Sequence, residues 1–202
     1  MEEKEEGKKE KRSGIKGRVL EVVTQIYTDE AWEEYQSDEN YRFRVDDYRI
    51  RSDRIRNVLD AKRSVKEFAW ILHNKDRYSE QSKEVLAGSK SVGERVPYHV
   101  HIVLSGGSKA LDVAHVAKWF GVPENMIEVK RGRNAFVDAI RYLTHEDERQ
   151  QMLGKHRYDD AEIHANFDFR KRINEYMERS RAFGDDESRL FVAMRSAVYK
   201  DG

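Results

Sequence analysis

The segment Tyr98 to Leu104 (YHVHIVL) constrains the fold of this chain more than any other. Pro97 leads into it and the turn Ser105-Gly106-Gly107-Ser108 leads out. Alternating β-branched and apolar residues between such breakers read as a strand. Side chains on a strand alternate between faces, so His99 and His101 point one way and Val100, Ile102 and Leu104 the other. The apolar set demands a core, and a sheet acquires one by pairing with other strands and being covered by helices. Candidate partners are Arg18 to Thr28, Val65 to His73 and Met126 to Arg131. Candidate helices are Ser52 to Ala61, a segment from an N-cap at Ser108 to Phe120 closed by Gly121 and Pro123, and one capped by Asn134. The last carries the stripe Phe136, Ala139, Ile140 and Leu143. A further helical pattern begins at Phe169 and breaks at Gly184-Asp185-Asp186, with Leu190, Phe191, Met194 and Val198 beyond. The order β, α, β, β, α, β, α predicts an α+β domain on a largely antiparallel sheet of about five strands with flanking helices.

Length and composition set the boundaries. At 202 residues the chain suits one domain with an appendage. Residues 1–14 mix Glu and Lys and read as a disordered charged tail. Residues 15–168 form the predicted domain, and 169–202 a C-terminal helical extension. Residues 32–51 give no assignable pattern, and 74–96 read as a long connection. With no cysteine, disulfides and thiolate metal sites are excluded. No apolar run approaches a membrane span and the N-terminus lacks an apolar signal core, so a cytoplasmic protein without a membrane partner is expected. Net charge is zero, yet Arg42 to Lys66 holds nine Lys or Arg against four carboxylates. A second basic knot is Lys130-Arg131-Gly132-Arg133. Such patches suit phosphates, and equally a solvated surface.

Paired imidazoles on one strand face can bind a divalent ion; the plainer reading is two unrelated histidines on a wet sheet. His73 ends a neighbouring candidate strand and Asp76 follows three residues later. Three imidazoles and a carboxylate suit a catalytic Mn²⁺, Mg²⁺ or Zn²⁺, while a strand-end histidine and a turn aspartate remain the alternatives. Tyr142 falls off the centre of its helix's apolar stripe, on a flank shared with Asp138, His145 and Glu146. A tyrosine packed on a core edge is the commoner use of that position. Beside a metal site, a phenol can instead attack a phosphate, with His145 one turn on to orient the phenol or the phosphate.

The ordered set Leu72-His73-Asn74-Lys75-Asp76, Tyr98-His99-Val100-His101-Ile102, Tyr142-Leu143-Thr144-His145-Glu146, Lys155-His156-Arg157-Tyr158-Asp159 and Asn166-Phe167-Asp168 resembles the HUH endonuclease superfamily. Within it, the chain is similar to the RepB-type replication initiators of small rolling-circle plasmids from Gram-positive bacteria. The resemblance runs from about Arg18 to about Asp168 and fits poorly between Trp32 and Arg51. It implies a ferredoxin/RRM-like sheet and a metal held by His73, Asp76, His99 and His101, with Mn²⁺ the expected ion. It also implies catalytic roles for Tyr142, the nucleophile, and His145. The nucleophile would attach to the 5′ phosphate at a nick in a plasmid origin, freeing a 3′-OH. Implied partners are origin DNA presented as a single strand or hairpin loop, the host replication machinery, and copies of the chain itself.

Two departures stand out. The position three residues after the tyrosine, often Lys in related initiators, is His145, and the His73–His99 interval is long. Lys130, Arg131, Arg133 and Arg141 are the candidate DNA contacts, with an exposed charged surface as the alternative. The competing functions are a mobilisation relaxase, a non-catalytic RRM-like nucleic-acid-binding domain, and a metal-dependent hydrolase of a small substrate. Relaxases usually carry the tyrosine near the N-terminus, and an RRM-like domain would place aromatics where His99 and His101 stand.

Overall fold

A computed structural model of the chain describes residues 14–27 and 50–182. The charged tail before Gly14, the unassigned stretch 32–49 and everything from 183 onward, including the Gly184 break and the Leu190–Val198 stripe, lie outside the described residues.

The strands are β1 (Lys16–Gly17), β2 (Val19–Tyr27), β3 (Ile50–Arg51), β4 (Glu67–His73), β5 (His99–Ser105), β6 (Leu111–Asp112), β7 (Ile127–Lys130) and β8 (His164–Ala165). Five of them form an antiparallel sheet in the order β7-β2-β5-β4-β8, and β3 adds a short parallel pairing beyond β7 on the edge of β2. The helices are α1 (Ser52–Ala61), α2 (Lys83–Leu86), α3 (Val113–Phe120), α4 (Ala135–Tyr142), α5 (Glu148–Met152) and α6, described over 169–182. Among the described residues no helix is long and apolar enough to cross a membrane. The α+β architecture is thus the expected one.

Register explains how the two faces differ. Val100, Ile102 and Leu104 of β5 lie opposite Thr24, Val22 and Leu20 of β2 and Leu72, Trp70 and Phe68 of β4. With Ile55 and Leu59 of α1 and Val113, Val116, Ala117 and Phe120 of α3, these side chains build the larger core. On the opposite face Val19, Ala69, Ile71 and Val103 pack beneath Ala135, Ala139 and Ile140 of α4, with Leu143, Tyr158, Phe169 and Ile173 around them. His73, His99 and His101 continue that second face at the other end of the same strands. The histidine face is therefore covered rather than wet.

Several local expectations change. The third helix starts at Val113, capped by Asp112, whose side chain accepts from the His115 N–H. Ser108 is not its cap, because Leu111–Asp112 pairs with Lys16–Gly17 and so is held extended. Gly121 does close that helix, at φ 72°, with its N–H on the Ala117 carbonyl; a side chain there would be strained in the left-handed region. Asn134 precedes α4 without a side-chain cap and instead reaches the Tyr176 hydroxyl at 3.4 Å. The turn at Ser105–Ser108 bonds within itself, through Gly107 N–H to Ser105 Oγ and Lys109 N–H to Gly106 O. Residues 74–96 form a closed excursion containing α2 and cinched by an Arg77–Arg95 bridge. Closing that excursion is what lets His73 and His99, distant in sequence, sit directly opposite in the ladder.

Candidate active site

The ladder fixes three imidazoles side by side. His73 is opposite His99, and His101 follows two residues along β5 on the same face. Ring centroids are 5.3 Å apart for His73–His99, 4.7 Å for His73–His101 and 5.2 Å for His99–His101. Each ring spends one nitrogen on an oxygen acceptor. His73 Nε2 donates to the Leu143 carbonyl at 2.8 Å, His99 Nδ1 to the Pro97 carbonyl at 2.8 Å, and His101 Nδ1 to Glu21 Oε1 at 2.7 Å. A nitrogen facing an unprotonated oxygen must carry the hydrogen, so the other nitrogen of each ring presents a lone pair. One of these, His73 Nδ1, is buried without a hydrogen-bond partner. Ligand atoms of the three rings lie within 4.8 Å of one another. Two nitrogens sharing one ion at about 2.1 Å lie at most about 4.2 Å apart, so the spread is close to that of a bound set.

Asp76 completes the cluster. Its Oδ2 lies 3.6 Å from His73 Nδ1 and 3.9 Å from His99 Nε2, and its Oδ1 lies 3.7 Å from His145 Nδ1. The Tyr158 hydroxyl donates to Asp76 Oδ1 at 3.2 Å while accepting from the Lys75 N–H, and its ring stacks on His73 at 4.5 Å. A second group of donors, His73, Asp76 and His145, meets the same proximity. The fit to a divalent cation is good on donor chemistry: neutral nitrogens held by outer oxygen acceptors, a carboxylate, and a buried lone pair with no other use.

Burial sets the charge state. It drives the His73 imidazole far below its ordinary value, helped by the neighbouring imidazoles, and His99 down to about 3. His145 falls to about 4, through burial and then the Lys155 ammonium. These rings are neutral at physiological pH, the form that ligates metal. Burial also raises the Asp76 carboxyl, against the Lys155 ammonium and the Tyr158 hydroxyl. For Glu21 burial pushes upward too, but hydrogen bonds and charge from His101 and Lys130 win and hold it below the ordinary carboxylate value.

Tyr142, at the end of α4, is half-buried beside these rings, with centroids 5.4 Å from His101 and 5.0 Å from His145. Its hydroxyl accepts from Lys155 Nζ at 2.6 Å. A groove of about 470 Å³ lined by His101, Tyr142, Lys130, Arg131 and Asp138 opens the phenol and one metal-ligand candidate to solvent.

The structure brings together His73, Asp76, His99, His101, Tyr142 and His145. It places three of the predicted site residues differently from expectation. His145, at φ 54°, turns inward after the helix; its Nδ1 meets the His156 carbonyl at 3.1 Å, and it belongs with Asp76 rather than with the phenol oxygen. Lys130 is taken up by Glu21 at 2.6 Å and Glu128 at 2.7 Å, so it supports the His101 partner and is no free phosphate contact. Arg141 stacks over Tyr176, in a cleft with Arg157, Arg170 and Arg181 away from the metal-ligand candidates. Arg131 and Arg133 are exposed, Arg131 at the groove and Arg133 in a separate cleft with Asn134, Phe136 and Tyr176.

Two contributors were given no role by the sequence reading. Glu21 orients His101, and its signal was a carboxylate inside the apolar run Val19-Leu20-Glu21-Val22-Val23. Lys155 reaches the phenol from a loop that sequence spacing cannot fold back.

No family model matches the chain. It is similar to the "Replication protein" of Onion yellows phytoplasma (strain OY-M), 34% identical over 122 residues. The match covers 60% of this chain and 30% of that protein, so the chain spans about a third of the relative's length.

Proposed function

We propose that the chain is a metal-dependent tyrosine endonuclease that nicks one DNA strand to initiate rolling-circle replication. The observation that carries this is a tyrosine hydroxyl beside a three-imidazole, one-carboxylate pocket, open to a groove. Similarity to a protein named for replication favours a DNA substrate over a small molecule.

The chemistry follows from the residues. A divalent ion, Mn²⁺ being the expected one, held by His73, His99, His101 and Asp76 would neutralise charge on the scissile phosphate. The Tyr142 oxygen attacks phosphorus and the P–O3′ bond breaks. The 5′ phosphate stays on the phenol oxygen, and the phenolic proton ends on the 3′ oxygen, leaving a free 3′-OH for a polymerase. Because the phosphodiester is exchanged rather than hydrolysed, the strand can later be rejoined. Origin DNA and the host replication machinery are the partners this reading requires.

The test uses labelled single-stranded oligonucleotides tiling the DNA on both sides of the chain's own coding sequence. Incubation with Mn²⁺ should give a covalent protein–DNA adduct on a denaturing gel, absent with chelator and with Tyr142→Phe. An adduct that survives Tyr142→Phe sinks the assignment of the nucleophile, and cleavage without adduct makes the protein a hydrolase.

A further inference from the structure

We infer that Lys155 is a catalytic residue: its ammonium holds the Tyr142 oxygen in line for attack and neutralises the charge that builds between that oxygen and the phosphoryl group. The inference rests on the nuclease reading and assigns a role within it that neither the motifs nor the relative supplies.

Geometry points to it in three ways. First, Lys155 Nζ is 2.6 Å from the Tyr142 hydroxyl and 4.8 Å from the centre of its ring, so it approaches the nucleophilic atom and the π face together. An ammonium has donors only, so this contact occupies a lone pair of the phenol oxygen and leaves the phenolic hydrogen free to point elsewhere. Second, the loop carrying Lys155 is fixed at several points. After α5, Gly154 turns the chain at φ 69°, the Lys155 N–H meets the Gln150 carbonyl at 3.2 Å, and the Tyr158 N–H meets Thr144 O at 3.0 Å. The Gln151 amide also bonds the His145 carbonyl. A long side chain gains rate enhancement only if such ordering is made beforehand. Third, among the described residues the ammonium has no carboxylate within ion-pairing distance, while nearby Lys75 is bound to Glu162 and Lys130 to Glu21. The residue is half-buried, so its ammonium is only partly screened by water.

The charge balance of the transfer explains why a cation is useful there. Negative charge passes from the phenol oxygen, as its proton leaves, through the phosphoryl oxygens to the departing 3′ oxygen, which takes a proton. Lys155 stays an ammonium throughout, donating first to the phenol oxygen and then to the tyrosine-linked phosphate. Donors placed at developing charge typically contribute about 10²–10³ in rate.

The experiment compares wild type, Lys155→Met and Lys155→Arg, as full chains with Mn²⁺ and the oligonucleotide that wild type attaches to. It measures single-turnover adduct formation, oligonucleotide dissociation constant, Mn²⁺ affinity by calorimetry, and the unfolding midpoint. Lys155→Met should slow adduct formation about 100-fold, the lower end of that range, with oligonucleotide and Mn²⁺ affinity within a few-fold of wild type. Lys155→Arg should recover most of the rate. An unchanged rate in Lys155→Met overturns the inference and leaves the nuclease intact. A fall in Mn²⁺ affinity or unfolding midpoint that accounts for the loss makes Lys155 a loop anchor and also overturns it. A loss confined to oligonucleotide binding makes it a substrate grip and overturns it equally. Absence of any adduct in wild type removes the nuclease reading itself.

Discussion

The two faces of the one sheet obey different rules. On the first, Leu20, Val22, Ile102 and Leu104 meet α1 and α3 in a closed apolar layer. Volume and shape decide what is allowed there, and each buried methylene contributes on the order of 0.8 kcal/mol. On the second, the apolar layer stops partway along the strands and gives way to His73, Asp76, His99, His101 and Glu21. Here protons and lone pairs decide, since every buried polar atom needs a partner or a ligand. One strand, β5, serves both, because alternation sends its odd-numbered side chains, His99 and His101 among them, to the second face and its even-numbered ones to the first. The comparison teaches that the core fixes the spacing of the imidazoles, and the outer oxygens fix which nitrogen each one offers.

The division breaks most visibly by removing imidazoles. The pair His99→Ala with His101→Ala should abolish Mn²⁺ binding in calorimetry while leaving far-ultraviolet circular dichroism unchanged; binding close to that of wild type would show that the ion sits elsewhere. Next in size, Ile102→Ala should cost about 2–5 kcal/mol in denaturant unfolding, as large-to-small changes in cores do. Its Mn²⁺ affinity should stay within a few-fold, and a collapse of affinity would mean that the faces are not separable. Glu21→Gln should weaken Mn²⁺ binding about 10–100-fold, the usual range for an outer partner of a ligating histidine. An unchanged affinity would reduce Glu21 to a partner of Lys130.

A change of pH probes the histidine face as a whole. His99, at about 3, and His145, at about 4, lie below the ordinary histidine value of 6.5, and His73 lies lower still. The unfolded chain therefore takes up protons below about pH 6.5 that the folded chain refuses. Stability of the metal-free protein should be full above that pH and fall as pH drops towards about 4, by up to about 1.4 kcal/mol per unit for each imidazole. Asp76, held above its ordinary value, works the other way, but it is one group against three. Unfolding midpoints between about pH 7.5 and about pH 4.5 check the sign; a flat profile would mean that these rings are not kept neutral by the fold.

Much of this was legible in the chain. Alternation in YHVHIVL assigned the faces of β5, and the apolar periods found the strands and helices around it. Local breakers were read less well. Ser108 offered a good cap by type, yet the tertiary pairing of Leu111–Asp112 with Lys16–Gly17 moved the helix start to Val113. The metal-ligand candidates were found because their spacing is local or mirrored across a ladder. Glu21 was missed because its partner, His101, lies on a strand 80 residues away, and only register makes them diagonal neighbours. Lys155 stood in a quoted motif, yet its place beside Tyr142 was not legible for a similar reason: it depends on a turn at Gly154 and on backbone bonds to neighbouring segments. Charge type alone also could not show that Lys130, in the basic knot, is paired with two glutamates from the sheet.

The claim beneath everything else is that lone pairs from β4 and β5 meet at one cation within reach of the Tyr142 hydroxyl. Anomalous diffraction from crystals of the protein grown with Mn²⁺ tests it directly. One peak should appear per chain, in contact with His73 Nδ1, His99 Nε2, His101 Nε2 and Asp76, on the side where the Tyr142 oxygen lies. A peak elsewhere, or none at a manganese concentration that supports adduct formation, would contradict it.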